Sequence, residues 1–211
     1  MFTQQIKYKL KYILVIIILI ITGGILCWQL GNQGEQKTFS NKEYKFEIKY
    51  PKSWYNFKGK DFTNAAFFST ISLEEFKNFT GEGKYGFVVI DYIKQESVKK
   101  TEEEQNTNDP IDAYLKAFES GAQKAESRGI WKDASTEKIE IGGMNGGKIY
   151  FITEEQALAK GIGKERIYIT YYVLDKNSNG ILEIKGEFYG ENTERYIADF
   201  NQMLSTFKFL D

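Results

Sequence analysis

The sequence predicts an α+β domain, an antiparallel sheet with helices packed on it, preceded by one N-terminal transmembrane helix. Three observations predict it. An uncharged, mostly apolar run, Tyr12–Leu30, follows Lys7, Lys9 and Lys11. Beyond it, segments that alternate apolar and polar residues outnumber segments with helical spacing. Several of these strand-like segments follow one another through short turns rich in Gly and Asn, as hairpins do.

The apolar run sets the topology. At about 1.5 Å rise per residue, a helix over Tyr12–Leu30 just crosses a bilayer core of roughly 30 Å. Positive charge stays on the cytoplasmic side. Residues 1–11 therefore read as a cytoplasmic tail, 12–30 as the anchor, 31–38 as a polar linker and 39–211 as an extracytoplasmic domain at the cell membrane. Two other readings of the N-terminus stay open. Thr22-Gly23-Gly24 offers small residues for a signal peptidase, although Ile25, Leu26, Cys27 and Trp28 continue the apolar run. Cys27 could carry a lipid, although Leu26 stands where such sites prefer Gly, Ala or Ser.

Each element of the domain follows from its pattern. Tyr44, Phe46, Ile48 and Tyr50 share one face and Lys45, Glu47 and Lys49 the other, which is a half-buried strand that Pro51 ends. Phe67–Leu73 and Tyr85–Ile93 read as further strands. The second is apolar on both faces at Phe87-Val88-Val89-Ile90, which places it inside the sheet. Gln95–Asn108 is charged and lacks aromatics, and it reads as a loop. Asp109-Pro110 supplies an N-cap and a first helical residue, and Ile111, Tyr114, Leu115, Phe118, Ala122 and Ala125 recur at helical spacing. A helix over Pro110–Glu126 follows. Ile139 and Ile141 lead into Gly142–Gly147, and Lys148–Thr153 returns, with Asn145-Gly146 as the type I′ turn. Glu165–Leu174 and Ile181–Tyr189 form another hairpin around Asp175–Gly180. Ile197, Phe200, Leu204 and Phe207 mark a final amphipathic helix capped near Asn192 or Thr193.

Composition excludes several classes of function. The chain has 14 Tyr, 16 Phe and 3 Trp, enough to build a core, and a single Cys, so it forms no internal disulfide. It contains no His, which removes the commonest general base and the commonest metal ligand. A net charge of −1 leaves no footprint for nucleic acid. The Lys- and Ile-rich, Pro-poor composition fits an AT-rich bacterial genome.

Short motifs fail on their context. Gly81-Glu82-Gly83-Lys84-Tyr85-Gly86-Phe87-Val88 matches the glycine-rich loop of protein kinases, but no His-Arg-Asp or Asp-Phe-Gly accompanies it. Gly142 to Lys148 spells most of a phosphate-binding loop, yet Ile149 stands where Ser or Thr should hold magnesium, and a strand follows. Asp175, Asn177 and Asn179, followed by Gly180, copy the first half of a calcium loop. The twelfth position is Gly186, with Glu187 one place late. Their oxygens suit a hard cation, so they are the best metal candidates in the chain, but a hairpin turn of residues tolerant of left-handed backbone is the better account of them, and no metal site is assigned. Glu154 and Glu155 are adjacent acids that read as solvated, as do Glu102–Glu104.

The two ends of the domain carry a family resemblance. Phe46-Glu47-Ile48-Lys49-Tyr50-Pro51-Lys52-Ser53-Trp54 runs strand, Tyr-Pro corner, Trp, and resembles the opening of PsbP-like domains. Those are the photosystem II extrinsic subunit and its bacterial relatives. Phe200–Phe209 resembles their last helix. The resemblance covers about residues 39–210. It implies an α/β/α sandwich around a central antiparallel sheet, with Trp54 packed under the sheet. It also implies binding or assembly outside the cytoplasm, without an established catalytic activity. The anchor and the missing histidine depart from photosynthetic members, so no photosystem role, manganese site or functional residue is carried over. The expectation is a non-catalytic module, without cofactor, that binds a protein or envelope partner through loops or an open sheet face. A carboxylate-dependent hydrolase, a calcium-responsive module and a sensory domain are the other readings.

Overall fold

Hairpins dominate the computed structural model, which describes residues 35–57, 65–78, 83–153, 165–175 and 180–210. The proposed anchor at 12–30 lies outside the described residues, among which no helix is long and apolar enough to cross a membrane. The described strands are β1 (Gln36–Asn41), β2 (Phe46–Pro51), β3 (Tyr55–Phe57), β4 (Ala66–Ser69), β5 (Tyr85–Ile93), β6 (Trp131–Ile141), β7 (Met144–Thr153), β8 (Arg166–Asp175), β9 (Gly180–Tyr189) and β10 (Lys208–Phe209). The described helices are α1 (Leu73–Lys77), α2 (Gln95–Gln105), α3 (Pro110–Ser127) and α4 (Thr193–Ser205).

A seven-stranded sheet runs β3-β4-β5-β9-β8-β7-β6, antiparallel throughout, and a small sheet runs β1-β2-β10. Side chains alternate across the large sheet, so each strand feeds two layers. On one face Val88, Ile90, Leu182, Ile184 and Phe188 pack with Phe46 and Ile48 of β2 and with Phe200 and Met203 of α4. On the other, Ile149 and Ile181 meet Val98 of α2 and Ile111 and Leu115 of α3. Trp54 is 2% exposed and lies in the first layer, edge-on to Tyr196 of α4 at 6.2 Å. A second cluster on the α2–α3 side gathers Phe57, Phe67 and Phe87 around Phe76 of α1.

The structure corrects the sequence reading at four places. Gln95–Gln105 is a helix, not a loop. Its Gln, Glu and Lys residues are good helix formers, Lys100 and Glu104 face each other at i,i+4, and Asn106 ends it in the left-handed region at φ 49°. One buried side chain, Val98, docks it on α3 and β9, so no apolar stripe announces it. The hairpin turn falls on Gly142-Gly143, with φ 58° and 76°, and not on Asn145-Gly146. Ile141 pairs with Met144 across it, and Asn145 and Gly146 belong to β7. The later glycines serve packing: a Cβ on Gly147 would stand 2.9 Å from both Ile111 and Leu115 of α3. The strand expected at Phe67–Leu73 stops at Ser69, and Leu73 opens α1. Ser72 and Glu75 form a full capping box there, a Ser-x-x-Glu signal that the strand assignment overrode. Phe207, expected on the last helix, lies just beyond its end and is buried.

Candidate binding face

The large sheet carries its charge in the middle of the α2–α3 side. Glu183, Lys185 and Glu187 alternate along β9 with apolar residues of the opposite face. Register sets Asp91 of β5 beside Glu183, and Tyr168 and Thr170 of β8 beside Glu187 and Lys185. Helices α2 and α3 cover this face toward Ile181 and Leu174, and α1 covers it toward Phe67 and Phe87. Between these two covers lies a charged strip of half-buried side chains.

Two ionic groups organise the strip. Lys185 Nζ stands 3.0 Å from both Asp91 Oδ2 and Glu183 Oε2. Burial works against its charge, but Asp91 and Glu183 outweigh burial and hold its pKa above the ordinary value. One register step away, Glu187 Oε1 accepts the Tyr85 hydroxyl at 2.7 Å and Arg166 Nη1 at 3.2 Å. The Arg166 guanidinium also sits over the Tyr85 and Tyr189 rings, 5.9 and 5.8 Å from their centroids. Burial, reinforced by Glu187, pushes the Tyr85 hydroxyl far above its ordinary range; burial and then Glu183 do the same to Tyr172. The shifts resolved on this strip move its protons away from neutrality. That suits fixed charge and hydrogen bonding more than proton transfer at neutral pH.

An aromatic cluster leads into the strip from α3, with Phe118 also 5.7 Å from Phe151. Phe118 stacks on Trp131 at 5.5 Å, Trp131 on Phe151 at 4.2 Å, and Phe151 on Tyr168 at 4.8 Å with planes only 5° apart. Trp131 and Phe151 each contact two or more other rings, so these aromatics pack chiefly on one another.

The sequence-derived candidates do not converge here. Asp175 is buried at the end of β8, opposite Gly180, while Asn177 and Asn179 lie outside the described residues, as do Glu154 and Glu155. Among the described residues no cluster of three His, Cys, Asp or Glu is placed to hold a metal. Gly86 of the kinase-like motif lies in β5, where a Cβ would stand 3.2 Å from Tyr196 and Phe188. Lys148 of the phosphate-loop-like motif faces Glu137 across the hairpin at 3.9 Å. The strip itself was missed. Its signal was present: the segment Leu182–Phe188 puts Glu183, Lys185 and Glu187 at period two inside a strand otherwise suited to burial.

No protein-family model matches the chain, and no curated protein matches it in sequence. Solved structures do match in shape. The Ran-binding protein Mog1p of Saccharomyces cerevisiae superposes with a TM-score of 0.51 at 10% identity, over 85% of this chain and 97% of its own. LpqN of Mycobacterium tuberculosis, a protein involved in cell envelope biogenesis, gives 0.50 at 8% identity, over 89% and 97%. The cyanobacterial PsbP protein CyanoP of Synechocystis gives 0.46 at 13% identity, over 84% and 95%. The chain thus shares the α+β fold of Mog1p and LpqN. At these identities the likeness defines the fold alone.

Proposed function

We propose that this chain is a membrane-anchored, extracytoplasmic, non-catalytic module that binds a protein or envelope partner on the charged strip of its large sheet. The observation that carries the reading is the placement of Asp91, Glu183, Lys185, Glu187 and Arg166 on a sheet face between two helical covers. A sheet interior has no need of such charges for stability; a half-buried charge array specifies a partner by register and sign. The acids of the strip sit against Lys185 and Arg166, which supports recognition over hydrolysis by a carboxylate pair. The Ran-binding neighbour and the envelope-biogenesis neighbour, which share the fold, are in keeping with an interaction module. Crosslinking and pull-down from intact cells tests it, comparing the full-length chain with Lys185→Glu. Lys185→Glu sets a third carboxylate beside Asp91 and Glu183, so a thermal melt first checks that the variant is folded. Loss of one reproducible envelope partner on reversal supports the reading, and an unchanged partner set from a folded variant rejects it.

A further inference from the structure

A second surface lies where the edge strand β3 meets the start of α1. Among the described residues only Tyr55, Leu73 and Ile130 are large apolar side chains standing exposed, and the first two line one open cleft of about 800 Å³. Tyr50 and Phe57 form its walls, and Lys37 and Glu74 stand at its rim. Tyr55 is 48% exposed and Leu73 39%. The Lys37 ammonium lies 5.9 Å from the centre of the Tyr50 ring. We propose that this cleft rests on the lipid surface, with Tyr55 and Leu73 entering the headgroup region, so that the domain holds one orientation on the membrane. The inference builds on the anchor reading of Tyr12–Leu30.

Chain length selects this occupant. Only residues 31–36 separate Leu30 from Lys37. A fully extended chain covers at most about 3.6 Å per residue, which limits that span to roughly 25 Å. The lipid headgroup layer takes up several ångströms of it. A domain of this size is about 40 Å across, so the side that bears Lys37 has to face the bilayer. Lys37 itself lines the cleft. A Tyr combines an apolar ring with a polar tip and suits the membrane–water boundary, where Leu73 adds apolar area. The rim charges, Lys37 and Glu74, balance. Burial of apolar surface therefore drives the contact, and anionic lipid is not required for it.

Fluorescence quenching by nitroxide-bearing lipids tests the inference on the full-length chain in phosphatidylcholine nanodiscs. One sample carries the label on native Cys27. Three others carry Cys27→Ser with Tyr55→Cys, Leu73→Cys or Ser135→Cys; Ser135 is exposed on β6, at the other edge of the sheet. Melting curves confirm that each is folded. The expected result is strong loss of fluorescence at positions 27, 55 and 73 and little at 135. Quenching at 27 with 55 and 73 no different from 135 overturns the lipid contact and leaves the anchor standing, as a cleft occupied by a peptide would. An unquenched label at 27 overturns the anchor reading and the inference together.

Discussion

Trp54 donates its indole N–H to the Asp199 carboxylate at 3.0 Å, tying the corner after β2 to α4. A buried indole that lacks this acceptor carries a desolvation penalty. Asp199→Ala is therefore expected to destabilise the domain by about 1–3 kcal/mol. Trp54→Ala, which also opens a cavity among Tyr196 and the first-layer core, is expected to cost about 3–5 kcal/mol. Urea unfolding of both variants checks the order.

The glycines of the β6–β7 hairpin separate by mechanism. Gly147→Ala presses a methyl group against Ile111 and Leu115, an overpacking cost of about 1–3 kcal/mol. A Cβ on Gly143 meets nothing within 4 Å, so Gly143→Ala bears only the strain of φ 76°, about 1–2 kcal/mol. Gly143→Asn recovers most of that strain, since Asn tolerates this region; the same pattern is not available at Gly147. Melting temperatures of the three variants distinguish the two causes.

Asp109 caps α3 by accepting from the N–H groups of Ile111 and Asp112 at 2.9 and 3.2 Å, and Lys138 approaches it at 3.4 Å. Burial raises its pKa, but these partners together hold it below the ordinary 3.8. A depressed folded value stabilises the native state above the unfolded pKa, and that contribution disappears as pH falls through the folded value. Acid titration of the unfolding midpoint is expected to drop more steeply below pH 3.8 for the wild type than for Asp109→Asn. Parallel curves would show that Asp109 contributes no linkage.

The Arg166–Glu187 pair is 15% and 28% exposed at its two side chains. Removing one member leaves the other charge half-buried, so Glu187→Ala is expected to cost about 2 kcal/mol. Combining it with Arg166→Met should cost less than the sum of the two single changes, and a double-mutant cycle measures the difference.

Helix α2 depends on Val98, which is 2% exposed beneath it. Val98→Ala removes about two methylene equivalents of burial, roughly 2 kcal/mol. Amide exchange is expected to rise over 95–105 before it rises in β5 or β9, because that helix has no other buried side chain of its own.

What the sequence disclosed follows the type of signal each element sends. β5 was legible because Tyr85–Ile93 is a long run with apolar residues on both faces, and α3 because Asp109-Pro110 and an apolar stripe agree. α2 was not legible, since a helix docked by one valine has no periodicity to read. The turn was misplaced because the six residues of Gly142–Gly147 hold three turn-competent pairs, and only the pairing of Ile141 with Met144 decides among them. The charged strip required tertiary information: Asp91 meets Lys185, and Arg166 meets Glu187, only through β5-β9-β8 order. The cation reading of Asp175, Asn177 and Asn179 drew on local spelling, which cannot tell a ligand loop from a hairpin turn.

The order of that sheet also governs when the chain can fold. Tyr85 and Glu187, which share a hydrogen bond, are 102 residues apart. Until β9 arrives, β3-β4-β5 and β6-β7-β8 are two separate ribbons, each with an unsatisfied inner margin. β2 likewise waits for β10, which pairs Phe209 with Phe46. Such long-range closure is slow and leaves sticky intermediates during synthesis. A chain leaving the ribosome would therefore stay pliable until segment 180–209 is out, however early its first strands appear.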